Sequence, residues 1–266
     1  MPDLNSLGCI LVNVMDCPAA VAKGQNGMLS NFKAMVFDVY GTLIDWESGM
    51  IAGLEPLTRQ VSQNLGRDDI LEAHAFYEST LQRWSPQKPY CALLASVYRR
   101  LAEEWGVEVE WADCLTYGAS VQHWPAFPDS KEALIYLKQH FLLMVLTNTD
   151  NDSFAHSNAR LGVTFDGVYT AQDVGSYKPD PRNFRFLDEM LVRRGIAKSD
   201  VLHVAESLFH DHVPGNAAGL SNCWVYRRHD QQGFGATMDP GQMPRIDMKF
   251  NSMADMVAAH RKAQTT

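Results

Sequence analysis

The chain has 266 residues, 46% of them hydrophobic and 20% charged, an ordinary soluble globular composition with room for one large domain or two modest ones, each with its own core. A formal net charge of −8, a pI near 5.5 and no Lys/Arg run longer than a pair exclude the electrostatic footprint of a nucleic-acid or anionic-membrane binder. The five cysteines, Cys9, Cys17, Cys91, Cys114 and Cys223, are odd in number, scattered and without CxxC spacing, which argues against a disulfide frame or zinc site and for free thiols in the reducing cytoplasm.

Residues 1–30 read as an N-terminal extension. Its apolar run "GCILVNVM" is eight residues long, too short to span a bilayer, and it follows Asp3 where a signal peptide would carry basic residues. The extension is expected to pack on the main body as strand or coil, with a partner contact as the functional alternative. From Lys33 onward, short apolar runs alternate with helical patterns, the mark of βαβ units and a mostly parallel sheet, hence an α/β fold. The first strand is "AMVFDV" at 34–39.

Between 46 and 124 the alternation stops. "GLEPLTRQVSQNL", "DDILEAHAFYESTLQRW", "YCALLASVYRRLAEEWGV" and "WADCLTYGASVQHW" all read as helix, with no convincing strand among them. An all-helical block after the first strand predicts a cap, 46–124, over a Rossmann-like core of 31–45 and 125–266. It would cover the carboxyl edge, where open α/β sheets bind ligands. The block's aromatics (Phe76, Tyr77, Trp84, Tyr90, Tyr98, Trp105, Trp111, Trp124) are expected mainly to pack helix on helix, with several lining a pocket under the cap. Beyond it, Asp129 or Ser130 caps a helix that carries Ala133, Leu134 and Leu137 on one face. Strands follow at 142–148, 167–171, 201–205 and 222–226, and a helix runs from Pro181 to Arg194 and stops at Gly195.

Asp38, at the end of the first strand, could by itself do no more than cap the turn after it. Other elements also end in reactive side chains: Thr147 and Asn148 after "LLMVL", Lys178 in "SYKPDP", and Glu206 and Asp211 in "AESLFHD". In a doubly wound sheet all of these converge on one edge. With "FDVYGTLID", these motifs in this order resemble the haloacid dehalogenase (HAD) superfamily of aspartate-nucleophile hydrolases, over residues 34–260. The resemblance implies a Rossmann-like core with a helical cap and covalent catalysis by Asp38. Thr42 would bind the Asp38 carboxylate or the substrate, Thr147 and Asn148 would bind substrate oxygens, and Lys178 would keep the nucleophile ionised. A carboxylate nucleophile is weak and must stay charged in a partly desolvated cleft, which calls for such a cation. Glu206 and Asp211 add charge that a metal or a proton must offset.

Tyr40 separates the branches. Phosphatases of the family carry a second aspartate two residues after the nucleophile, because expelling an alkoxide needs a general acid worth about 10²–10⁴-fold. Tyrosine, with an ordinary pKa of about 10, is a poor substitute. A halide needs no proton, and the type II 2-haloacid dehalogenase branch has tyrosine there. Alternatively, Tyr40 is a packing ring in the turn. Two features depart from that branch: His74 stands where an arginine is expected early in the cap, and Glu206 and Leu208 replace a Ser/Asn pair, while Glu206 and Asp211 are spaced like the magnesium-binding acids of the phosphatases. His210 and His212 flank Asp211, but three adjacent residues cannot face one ion on a helix, so a solvated or capping role is expected for them.

The leading expectation is hydrolysis of a small 2-haloacid or similar electrophile through an ester on Asp38, with Tyr40, Thr42, His74, Thr147 and Asn148 binding substrate and no cofactor. One alternative is a non-hydrolytic isomerase or cyclase in which Glu206, held protonated by Asp38 and Asp211, opens an epoxide on an apolar substrate. Another is a Mg²⁺-dependent phosphatase. A binding protein with a decayed site sits poorly with the joint presence of Asp38, Thr147 and Lys178. The partner is a small molecule, and a homodimer is left open.

Overall fold

A computed structural model describes residues 29–265. The expected N-terminal extension lies outside them, except for Leu29 and Ser30 in a short 3₁₀ turn. In chain order the elements are β1 (Ala34–Phe37), α1 (Trp46–Thr58), α2 (Arg67–Trp84), α3 (Tyr90–Glu104), α4 (Trp111–Ala119), α5 (Ser130–Leu137), β2 (Leu142–Thr147), α6 (Asn151–Leu161), β3 (Gly167–Thr170), α7 (Ala171–Val174), α8 (Pro181–Arg193), β4 (Val201–Ala205), α9 (Val213–Ala217), β5 (Ser221–Val225), β6 (Met248–Phe250) and α10 (Met253–Gln264). A 3₁₀ turn, Ser120–His123, follows α4, and a π-helical turn, Leu208–His212, precedes α9.

All six strands are parallel, in the order β3-β2-β1-β4-β5-β6. Phe37 is in register with Val145 on one side and Val204 on the other. The winding reverses at β1, so the crevice of the doubly wound sheet opens beside its carboxyl end. Both faces are covered, which is why the strands read as unbroken apolar runs. Met35, Phe37, Leu143, Val145, Leu202 and Val204 face one layer, with α5 and α10, while Val36, Met144 and Leu146 face Phe184, Leu187 and Leu191 of α8.

The helical stretch begins earlier than its sequence pattern suggests. Asp45 accepts a hydrogen bond from Ser48 N (3.2 Å) and caps α1 at Trp46. Gly49 and Gly53, poor helix formers, sit inside α1 because a Cβ at Gly49 would overlap Trp124 and one at Gly53 would crowd Tyr117 (3.1 Å). Tyr90, Tyr98 and Trp124 are buried as expected, but Phe76, Trp84 and Trp111 are exposed. β6, α6 and α10 have no counterpart in the sequence reading. β6 is only three residues long, and the inner positions of α6 include Ser153 and Ser157, which hides its apolar face. Among the described residues Cys91, Cys114 and Cys223 are free thiols, and no helix is long and apolar enough to cross a membrane.

Candidate active site

β1 delivers Asp38 to the crevice, its amide still bonded to Val204 O (3.0 Å). The chain then turns sharply: Leu43 N and Ile44 N both return to Val39 O (2.8 and 2.9 Å), and Gly41 takes φ +91°, a conformation that L side chains avoid. The turn brings Thr42 back under the strand end. Its hydroxyl donates to Asp38 Oδ2 (2.8 Å) and accepts from Glu206 N (2.9 Å). Thr42 is fully buried, so of the two expected roles the geometry brings it to the carboxylate.

Lys178 reaches Asp38 from the loop before α8. Asn148 holds that loop with a two-point clamp, Nδ2 donating to Lys178 O (2.9 Å) and Oδ1 accepting from Lys178 N (2.6 Å). The ammonium donates to Asp38 Oδ1 (2.9 Å), Asp211 Oδ1 (2.7 Å) and Leu146 O (2.9 Å). Asp211 rides on the π-helical turn, a rare geometry frequent at functional sites, in which Ser207 Oγ accepts from His210 N (3.0 Å). Burial pushes the Asp38 carboxyl up, against Lys178 and with help from the Asp211 charge. Burial also acts on Asp211, but Lys178 and His203, whose Nε2 lies 3.2 Å from Asp211 Oδ1, outweigh it and hold that carboxyl below the usual range.

The carboxyl of Glu206 is pushed up to about 8, first by burial and next by Glu47, with Asp38 and Asp211 contributing less. The sequence reading named only the last two. Glu47 is itself anchored, Arg228 Nη1 meeting both its oxygens (2.9 and 2.7 Å).

Between this cluster and the helices lies a cavity of about 20 Å³, lined by Asp38, Tyr40, Asn148, Lys178, Ser207, His210 and Asp211 from below and by Trp46, Glu78, Gln82 and Tyr90 from above. That is room for little more than one water. Tyr40 offers it a ring wall: the hydroxyl points away, sharing a hydrogen bond with Ser157 Oγ (2.9 Å), and burial pushes its pKa up to about 12.

A family model of haloacid dehalogenase-like hydrolases matches residues 32–219. The chain belongs to this hydrolase family. Over 200 residues, 68% of this chain and 77% of the relative, it is 23% identical to (S)-2-haloacid dehalogenase 4A of Burkholderia cepacia. Over 206 residues it is 24% identical to an (S)-2-haloacid dehalogenase of Pseudomonas putida, covering 76% and 87% of the two chains. In fold it is similar to the L-2-haloacid dehalogenase of Xanthobacter autotrophicus solved with chloropropionic acid covalently bound, with TM-score 0.69, 19% identity, and 86% and 98% of the two chains covered.

In this hydrolase the expected residues fall into two sets. Asp38, Tyr40, Asn148, Lys178 and Asp211 meet at the cavity; Thr42, His74, Thr147 and Glu206 do not line it. Thr147 is buried with its hydroxyl unpartnered. His74 lies behind the wall, Nε2 bonded to Tyr117 OH (2.7 Å) and Nδ1 3.3 Å from Glu78 Oε2. The cap's charged group at the cavity is therefore a carboxylate, Glu78. The sequence did hold a signal for it: His74, Glu78 and Gln82 put a polar residue at every fourth position on the face of α2 that also buries Ile70 and Leu71. Of the two histidines expected to be solvated or to cap, His212 is instead fully buried, bonded to Ala205 O (2.9 Å) and Asn222 Oδ1 (3.2 Å), whereas His210 is half-buried and lines the cavity. For a metal the donor set fits poorly: Asp38 and Asp211 share an ammonium, position 40 is a tyrosine, and no group of three or more His, Cys, Asp or Glu side chains among the described residues is placed to hold an ion.

Proposed function

We propose that this hydrolase displaces a leaving group from an electrophilic carbon, as in a small 2-haloacid or a similar electrophile, through an ester on Asp38, without a metal. The observation that carries the reading is the Asp38 carboxylate itself, held between Thr42 and Lys178 at the floor of the cavity. An Asp38 oxygen attacks the carbon; the C–O bond forms as the bond to the leaving group breaks, and a halide departs with the electron pair and needs no proton. Water then attacks Cγ of Asp38. The acyl C–O bond breaks, one water proton ends on the product alcohol, the other goes to solvent, and the carboxylate is restored. Asp211 lines the cavity with a buried, unpartnered Oδ2, the free acceptor suited to orient that water. The Tyr40 hydroxyl, turned toward Ser157, supplies no acid, which favours a halide over an alkoxide.

Asp38→Asn should lower turnover by at least roughly a thousandfold. A single turnover in ¹⁸O-labelled water should put the label in Asp38 first; label arriving directly in the product would end the covalent reading.

One observation favours a second reading. A Glu206 carboxyl pushed up to about 8 is largely protonated at neutral pH, as a general acid for epoxide opening must be, though it does not line the cavity and the substrate would have to reach past the lining to meet it. Glu206→Gln would then cost about 10²–10⁴ in kcat with binding intact, whereas an Asp38-ester hydrolase should tolerate it.

A further inference from the structure

The charge on the cavity wall runs against a carboxylate ligand. Three carboxylates, Asp38, Glu78 and Asp211, face one ammonium, Lys178. That ammonium has three N–H donors, and Asp38 Oδ1, Asp211 Oδ1 and Leu146 O take all three. His210 adds no cation, since burial drops its pKa to about 4. The cap contributes Trp46, Tyr90, Gln82 and Glu78, and no positive side chain. Glu78 is buried and held in place: Gln82 Nε2 donates to its Oε1 (2.9 Å), and His74 Nδ1 stands 3.3 Å from its Oε2 on the side away from the cavity. A substrate carboxylate in this space would meet like charge at close range, a penalty on the order of a hundredfold in affinity or more. An N–H donor meets the opposite: a fixed carboxylate acceptor beside the rings of Trp46 and Tyr90, whose faces attract cations.

We propose that Glu78 is the specificity-determining group of the cap and that the substrate carries an amine or amide N–H, bonded to Glu78, where a 2-haloacid carries its carboxylate. This rests on the Asp38 displacement reading and, of the substrates that reading admits, chooses a similar electrophile bearing an N–H over the 2-haloacid itself.

Unreactive analogues test it by calorimetric titration: lactamide and 1-amino-2-propanol as N–H ligands, lactate as the carboxylate. On the wild-type protein at least one N–H ligand should bind about tenfold or more tighter than lactate. Glu78→Gln should remove most of that preference, and Glu78→Arg should reverse it. Lactate binding as well as both N–H ligands, or a ranking that Glu78→Gln leaves unmoved, overturns the proposal; if neither variant folds, the wild-type ranking decides. The same titrations on Asp38→Asn separate the two ideas. There the ranking should persist: a ranking lost in that variant sinks this proposal alone, whereas an Asp38→Asn protein that still turns over sinks the covalent reading and leaves the ranking standing.

Discussion

Lys178 is 1% exposed and is the cation shared by Asp38 and Asp211. Replacing it with methionine keeps most of the apolar stem and deletes the charge, leaving two buried carboxylates side by side. Removing one partner of a buried ion pair costs about 3–5 kcal/mol. A second route gives the same scale: the protein can escape by protonating one carboxylate at pH 7, about three units above its ordinary range, at about 1.4 kcal/mol per unit, or about 4 kcal/mol. The Leu146 carbonyl also loses its donor, which shifts the cost toward the upper end. Thermal unfolding at pH 8 should show a Tm lowered by roughly 6–20 °C, at about 2–4 °C per kcal/mol for a chain near this size. The sign with pH follows from linkage. In the variant both carboxyls have folded pKa values above their unfolded ones, so the folded state binds more protons and stability falls as pH rises. The gap to wild type should therefore narrow between pH 8 and 5.5. Adding Asp38→Asn to the variant should recover a large part of the loss by removing one buried charge. A variant within about 1 kcal/mol of wild type at pH 8, a gap constant with pH, or no recovery in the double variant would refute the shared-cation account.

Glu206 gives a second pH signature. Its folded pKa is raised from the ordinary 4.5 to about 8, so it draws stability down as pH climbs between those values and not below them, by a few kcal/mol in all. Glu206→Gln should flatten that decline, making the variant the more stable form at pH 8.5 in thermal unfolding; a wild-type profile that is already flat would refute the raised pKa. On the metal, with Tyr40 at the second-acid position and Lys178 between Asp38 and Asp211, turnover of a halide-bearing substrate should survive EDTA. Strict Mg²⁺ dependence with phosphate release from simple esters would restore the phosphatase reading.

The sequence by itself determined the α/β class, five of the six strands to within two residues, and the helical stretch between β1 and α5. Strands buried on both faces are continuous apolar runs, and a parallel sheet repeats them at helix-length intervals, so both signals are local. It also brought Asp38, Lys178 and Asp211 to one edge, because the loops that follow the carboxyl ends of adjacent parallel strands share that edge whatever the details between. What it could not supply was direction. Only the tertiary structure decided that the Tyr40 hydroxyl turns toward Ser157, that Thr42 serves the Asp38 carboxylate, and that His74 sits one layer behind Glu78. Each of those depends on which helix face meets the sheet and how closely, a distance set by long-range packing such as Gly49 against Trp124. The raised carboxyl of Glu206 is likewise tertiary, since its largest cause is burial and its strongest charged neighbour, Glu47, stands 159 residues earlier in the chain. Electrostatics falls off with distance in space, and sequence separation carries no trace of it.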